Sequence, residues 1–235
     1  EAALSLVEEL RGRAPTSVER IVGGRTNDMF RVVDDEGVAV LVRVYGGGED
    51  LGIDRALEGA TFEAAGRHLG RPRCLGHFAN GRVEEFLEGH RNTTYEDVSN
   101  PTVYREIARA VATLHTFVPP PELCGPGGHD LDAPGLWPTL RGWLAASATD
   151  ATATAVARDA DDAKLWSECA CFRDFDAFAK VIDAAEARLA GDDLDASLVF
   201  AHNDLTLDNV MVGPDGTVRL VDLERGASVS IIIYV

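Results

Sequence analysis

Positive charge is what this chain has least of. Against 39 aspartates and glutamates it carries 22 lysines and arginines, a formal charge of −17. A general nucleic-acid or anionic-membrane surface needs a basic face, so neither is an expected partner. A phosphate ligand is not excluded, because one or two local cations plus a metal reverse the field inside a cleft. Long apolar runs are also missing. The longest is far too short to span a bilayer, and no signal-peptide pattern is visible, so stable membrane insertion is not expected. Cysteines are few (Cys74, Cys124, Cys169 and Cys171), with no C-x-x-C pair, and no His or Cys partners at zinc spacing follow Cys169 and Cys171. They read as buried or idle thiols, and a reducing cytoplasm is the expected compartment. A methionine is missing at Glu1, from which a lost start is expected.

What is present is an ordinary globular composition, 46% hydrophobic and 26% charged over 235 residues. That suits one large domain or two small lobes sharing a cleft. Residues 3 to 11 read as a short amphipathic helix. Strands are expected at "ERIVGG", "DMFRVVDD" and "VAVLVRVYG", then a helix over Asp50 to Leu69 with Leu51, Leu57, Phe62 and Leu69 on one face. "RCLGHF" and "GRVEEFLEG" read as two strands joined at Asn80-Gly81, a strong hairpin signal. "NPTVYREIARAVATLHTF" opens a helix with Asn as cap and Pro at the first position. His115 should close it as a terminal cation or a core residue, with no chemistry of its own. Helices follow around Leu136 to Ala148 and Phe172 to Ala190, separated by an Ala/Asp/Thr-rich insertion, about Ser147 to Asp162. The expected class is α+β: a β-rich lobe over residues 1–90 and a mostly helical lobe over 91–235, with a cleft between.

The chemistry concentrates in "VFAHNDLTLDNVMVGPDGTVRLVDLE", Val199 to Glu224. Asp204 and Asn209 lie between two strands, and Asp222 ends the next one. A tight turn at Pro214 to Gly216 would bring Asp222 back beside Asn209, so that an amide oxygen and a carboxylate face one space. That suits Mg²⁺ together with phosphate oxygens. Asp204, slightly apart, is placed to accept a proton from an attacking hydroxyl. A single turn aspartate is ordinarily just solvated; the combined spacing after apolar strands is what points to a metal–phosphate site. "VGGRTND" offers a Gly-Gly turn whose amides can approach phosphates. Arg43, in "VLVRVYG", has Glu58 on the following helix as a candidate partner to hold its guanidinium.

"HNDLTLDN" followed by "LVDLE" resembles the phosphotransferase signature of the choline/ethanolamine kinase family. "GGRTNDMFRV", "VLVRVYG", "DRALE", "RVEEFLEG", "NPTVYREIARAVATLH" and "LWPTLRGWL" resemble that family in order and spacing, over roughly residues 18 to 118 and 134 to 224. "LVRVYG" and the Asp54-Arg55-x-x-Glu58 element look closer to ethanolamine kinases than to choline kinases. The resemblance implies a protein-kinase-like bilobal fold, use of ATP and Mg²⁺, and a small amino alcohol as substrate, ethanolamine or choline; a homodimer is compatible with it. It implies Asp204 as catalytic base, Asn209 and Asp222 as Mg²⁺ ligands, and Arg43 on the ATP phosphates, tied to Glu58. Gly23, Gly24, Arg25, Thr26 and Asn27 would form the phosphate-covering loop. Glu85, Phe86 and Leu87 would be the hinge that meets adenine, and His202 would brace the catalytic loop. Glu224 is a candidate substrate contact beside Asp204.

The pattern breaks in three places. Leu223 and Arg225 stand where the family has aromatics. After Arg225 the chain ends in "GASVSIIIYV", where the family continues through helices that receive the amine of the substrate. The expectation is a truncated end whose apolar Val229-to-Val235 tail is an exposed, aggregation-prone strand unless covered.

Overall fold

The computed structural model describes residues 7, 12–22, 27–46, 54–147, 174–191, 198–223 and 225–230. The expected helix over residues 3 to 11, the insertion between residues 147 and 162, Cys169 and Cys171 lie largely or wholly outside the described residues.

A five-stranded antiparallel sheet comes first: β1 (Pro15–Ile21), β2 (Asn27–Asp34), β3 (Ala39–Tyr45), β4 (Cys74–Phe78) and β5 (Gly81–Glu85), in the order β1-β2-β3-β5-β4. Alternation puts Val32, Val40, Val42 and Val83 on one face, where they form a small core with Val7. The β2–β3 turn is fastened by Asp34, whose Oδ1 accepts from the Val38 amide at 2.7 Å while Oδ2 accepts from Arg13 Nη1 at 2.7 Å.

The β4–β5 hairpin forms one residue earlier than the Asn-Gly signal suggests. Phe78 pairs with Gly81, so the two-residue loop is Ala79-Asn80 and Gly81 opens the strand. Glycine is needed there for space: a Cβ would lie 2.1 Å from the Arg43 carbonyl oxygen of the adjacent strand.

Between β3 and β4 runs helix α1 (Arg55–Leu69), capped by Asp54, whose carboxylate accepts from the Ala56 and Leu57 amides at 2.9 and 3.0 Å. Its buried face is not the leucine stripe read from the periodicity. Glu58, Thr61, Phe62 and Ala65 are buried, whereas Leu57 and Leu69 are only partly so. The helix packs a carboxylate inward because a buried arginine waits for it on the sheet.

The second half is built on helices α2 (Tyr95–Ser99), α3 (Pro101–His115), α4 (Leu136–Ser147) and α5 (Phe175–Gly191). Asn100 caps α3, its side chain accepting from the Thr102 amide at 2.9 Å, and Pro101 sits at the first position. His115 ends α3 partly buried, and burial pushes its pKa down, which weakens a role as a helix-terminal cation. Against α3 lie short strands: β6 (Arg91–Asn92), β8 (Val210–Val212) and β9 (Val218–Leu220) in one sheet, and β7 (Leu198–Ala201) with β10 (Ala227–Ser230) in another. Leu114, Phe117, Phe200, Val210, Val212, Val218, Leu220 and Leu223 make the larger core here.

Strand β10 corrects the expectation of a bare tail. Ala227 to Ser230 pair antiparallel with Ala201 to Leu198, and the Ser228 carbonyl accepts from the Gly135 amide at 2.8 Å. Of the Val229-to-Val235 tail, Val229 and Ser230 are thus paired with β7, and residues 231–235 lie outside the described residues. Among the described residues no helix is long and apolar enough to cross a membrane.

Candidate active site

Strand β7 delivers the chain to His202, which is fully buried. Its Nε2 donates to the Val221 carbonyl at 2.7 Å, and burial keeps the ring pKa low, so it serves as a neutral peg. That bond ties the start of the loop from His202 to Asn209 to the residue before Asp222. Asn203 then takes a left-handed conformation (φ 61°) and its Nδ2 donates to the Arg225 carbonyl at 2.9 Å, a second tie between the same two segments. Asn203 was missed in the sequence, although an Asn beside an Asp after a strand is a recognisable left-handed turn signal.

Asp204 follows, half-buried. Asn209 Nδ2 donates to the Asp204 carbonyl at 2.8 Å, and the Thr206 amide donates to the same carbonyl at 3.0 Å. The loop closes on a short 3-10 turn, Leu207–Asn209, and the Asn209 carbonyl accepts from the Val221 amide at 3.0 Å. The β8–β9 hairpin therefore sets Asn209 beside the residue preceding Asp222. Asp222 itself is left-handed (φ 64°), which turns its carboxylate off the strand line into the cleft.

Arg43 meets Asp222 from the sheet, Nη1 to Oδ1 at 3.3 Å. Its expected tie to Glu58 is not there. Arg43 Nε donates to Glu84 Oε1 at 2.7 Å, and Glu58 instead accepts from Arg82 Nη1 and from Arg55 Nη1, both at 2.7 Å. The reason is register. Arg43 and Arg82 are directly opposite on β3 and β5, two like charges side by side, and Glu84 Oε1 bridges them, accepting from Arg82 Nε at 2.8 Å as well. Arg82 also lies 4.2 Å over the Phe62 ring. Burial alone would raise the Glu84 carboxyl, but the two guanidinia outweigh it and hold its pKa below the usual range. Arg82 and Glu84 were passed over in the sequence because alternating charges flanking Val83 ordinarily mark a solvent face.

These elements enclose a cleft of about 680 Å³, a normal size for a ligand site. Asn27, Arg43, Glu84, Asp204, Asn209 and Asp222 supply polar lining, and Ile21, Val22, Met29, Leu41, Met211 and Val221 supply apolar lining. Glu85, Phe86 and Leu87 line it as well. Among the described residues the Phe86 and Leu87 amides donate to no protein acceptor, whereas the Glu85 amide is taken by Arg73. Gly23 to Thr26 and Glu224 lie outside the described residues. Arg225 lines the cleft, its guanidinium 5.4 Å over the Trp143 ring.

The polar lining holds more carboxylates than cations, so an anionic phosphate fits only with a divalent cation between. The available donors are an Asp222 carboxylate and the Asn209 amide oxygen, which accepts from no described group. Hard oxygen ligands of this kind fit Mg²⁺.

Comparison with known families matches residues 18–231 to choline/ethanolamine kinase. The chain belongs to that family. Choline/ethanolamine kinases are phosphotransferases. The chain is 30% identical over 235 residues to the probable choline kinase 2 of Arabidopsis thaliana, covering 95% of this chain and 58% of the relative. It is 28% identical over 228 residues to ethanolamine kinase 2 of Rattus norvegicus, covering 94% of this chain and 53% of the relative. Among solved structures it superposes on a Plasmodium vivax ethanolamine kinase with a TM-score of 0.69 at 22% identity, over 92% of this chain and 58% of that one. The fold is thus the protein-kinase-like α+β fold of this family. The chain spans little more than half the length of these relatives, 58% and 53%.

Proposed function

We propose that this chain carries the catalytic centre of a kinase that moves the γ-phosphoryl group of ATP to the hydroxyl of a small amino alcohol. Ethanolamine is preferred over choline. The reaction takes place in the cytoplasm, as the first step of the cytidine-diphosphate route to phosphatidylethanolamine. One observation carries the reading: Asp204 and Asn209 from one loop, Asp222 after β9 and Arg43 from β3, three separate segments, line a single cleft.

In this reading the sheet-bearing half, to about residue 90, holds the nucleotide, with adenine against the apolar lining and the Leu87 amide as its hydrogen-bond donor. Arg43, braced from behind by Glu84, reaches the phosphates without having to be reoriented on binding. Asn209 and Asp222 hold Mg²⁺, which neutralises phosphate charge when bound. Asp204 accepts the proton of the attacking hydroxyl and orients that oxygen. Rate acceleration comes from positioning and charge, with no covalent intermediate on the protein.

The test is release of ADP from Mg·ATP with ethanolamine or choline at equal concentration. The expected result is Mg²⁺-dependent turnover, faster with ethanolamine, and abolished in Asp204→Asn with nucleotide binding kept. Turnover with choline alone reassigns the substrate; the relatives carry both names. Nucleotide binding without any turnover makes the chain a binding fragment, and no nucleotide binding removes the proposal.

A further inference from the structure

Away from the cleft, helix α1 and the edge strand β4 bring Glu63, Cys74 and His77 together. Among the described residues this is the one group of three His, Cys, Asp or Glu side chains whose ligand atoms all lie within 4.8 Å of one another. In a regular strand, residues three apart point to opposite faces. Here a register shift between Cys74 and Gly76 interrupts the β4–β5 ladder, and the bulge returns Cys74 and His77 to one side. The spacing C-x-x-H therefore becomes a pair of ligands only through a bulge, and the third ligand comes from a helix earlier in the chain.

Cys74 Sγ lies 3.3 Å from His77 Nε2, and Glu63 Oε2 lies 3.1 Å from the same nitrogen. A His–Glu ion pair would account for the second contact alone. It leaves the sulfur to share that one ring proton with the carboxylate, while the thiol's other contact, the Gly76 carbonyl, is 3.8 Å away. These two distances match two edges of a zinc tetrahedron, and the third, sulfur to oxygen, is within 4.8 Å. Bonds of about 2.3 Å to sulfur and about 2.0 Å to nitrogen and oxygen put S and N about 3.5 Å apart and N and O about 3.3 Å apart.

We propose that Glu63, Cys74 and His77 bind one zinc-class divalent cation, which pins helix α1 to strand β4 and leaves the fourth position to water. The mixed sulfur, nitrogen and oxygen set selects zinc-class ions over Mg²⁺. A thiolate and a carboxylate balance the ion's charge, and the thiol proton passes to solvent as the ion enters. Arg67 Nη1 holds the other carboxylate oxygen, Glu63 Oε1, at 2.6 Å and so aims Oε2 at the site. Glu63 and His77 side chains are 41% and 43% exposed, which provides the way in.

The test titrates metal-free, reduced protein with Co²⁺ in excess Mg²⁺ and follows the thiolate-to-cobalt absorption band. Wild type should saturate at one equivalent and lose the band when Zn²⁺ is added. Cys74→Ser should abolish the band, and His77→Ala, whose ring is partly exposed, should weaken cobalt binding by about tenfold or more. Zn²⁺ should raise the melting temperature of wild type and of neither variant. If Cys74→Ser does not fold, His77→Ala carries the comparison. No band in wild type, or a band unchanged in the variants, overturns the proposal.

Discussion

The Arg43 guanidinium rests on Glu84, its Nε donating to Glu84 Oε1 at 2.7 Å in a fully buried pair. Glu84 also carries Arg82, so one carboxylate separates two opposed cations. Among the described residues the helix carboxylate Glu58 is linked to Arg43 through that chain, from Glu58 to Arg82 to Glu84 to Arg43.

Glu84→Gln should therefore hurt more than Glu58→Gln. The first removes the charge that bridges Arg43 and Arg82 and leaves the two guanidinia facing each other across β3 and β5, a loss on the order of 3–5 kcal/mol, and loosens the arginine proposed to meet the phosphates. Urea unfolding together with nucleotide affinity checks this. Equal nucleotide affinity in the two variants would show that Arg43 is not positioned by Glu84.

Gly81→Ala adds a methyl where the β3 backbone already stands. We expect a loss of about 1–3 kcal/mol and a shift of β3 that weakens nucleotide binding, read by melting and by titration with Mg·ADP. A variant as stable as wild type would contradict the tight strand contact.

Asn203 is left-handed and tied to Arg225. Asn203→Gly keeps the conformation and loses one hydrogen bond, whereas Asn203→Val also meets a backbone penalty of about 1–2 kcal/mol. Valine should be the more destabilising in urea, with glycine between it and wild type. The opposite order would mean that the conformation is not held.

Stability should fall on mild acidification. Burial depresses the pKa values of His115, His129 and His202, so below the unfolded value of about 6.5 the unfolded chain binds more protons than the folded one. The stability present above that pH is lost as pH falls through the folded values. Glu84, also depressed, adds a loss at lower pH, below the unfolded carboxylate range. Urea midpoints between about pH 7 and pH 5 measure the first window. His129→Gln, which keeps a partner for Thr61, should flatten it; an unchanged slope would exclude His129 as a contributor.

The sequence by itself determined the order of strands and helices, because Asn100-Pro101, Asp54 and the valine alternation act over a few residues. It also determined the family and the residue types at the centre, since "HNDLTLDN" and "LVDLE" keep short, local spacing. Tertiary structure decided the pairings. Which glutamate holds Arg43 depends on the β3–β5 register and on how deeply α1 sinks, both set by packing between segments about forty residues apart. The fate of the tail strand depended on β7 offering an edge. Glu63, Cys74 and His77 meet only because a bulge breaks the two-residue period on which strand reading relies.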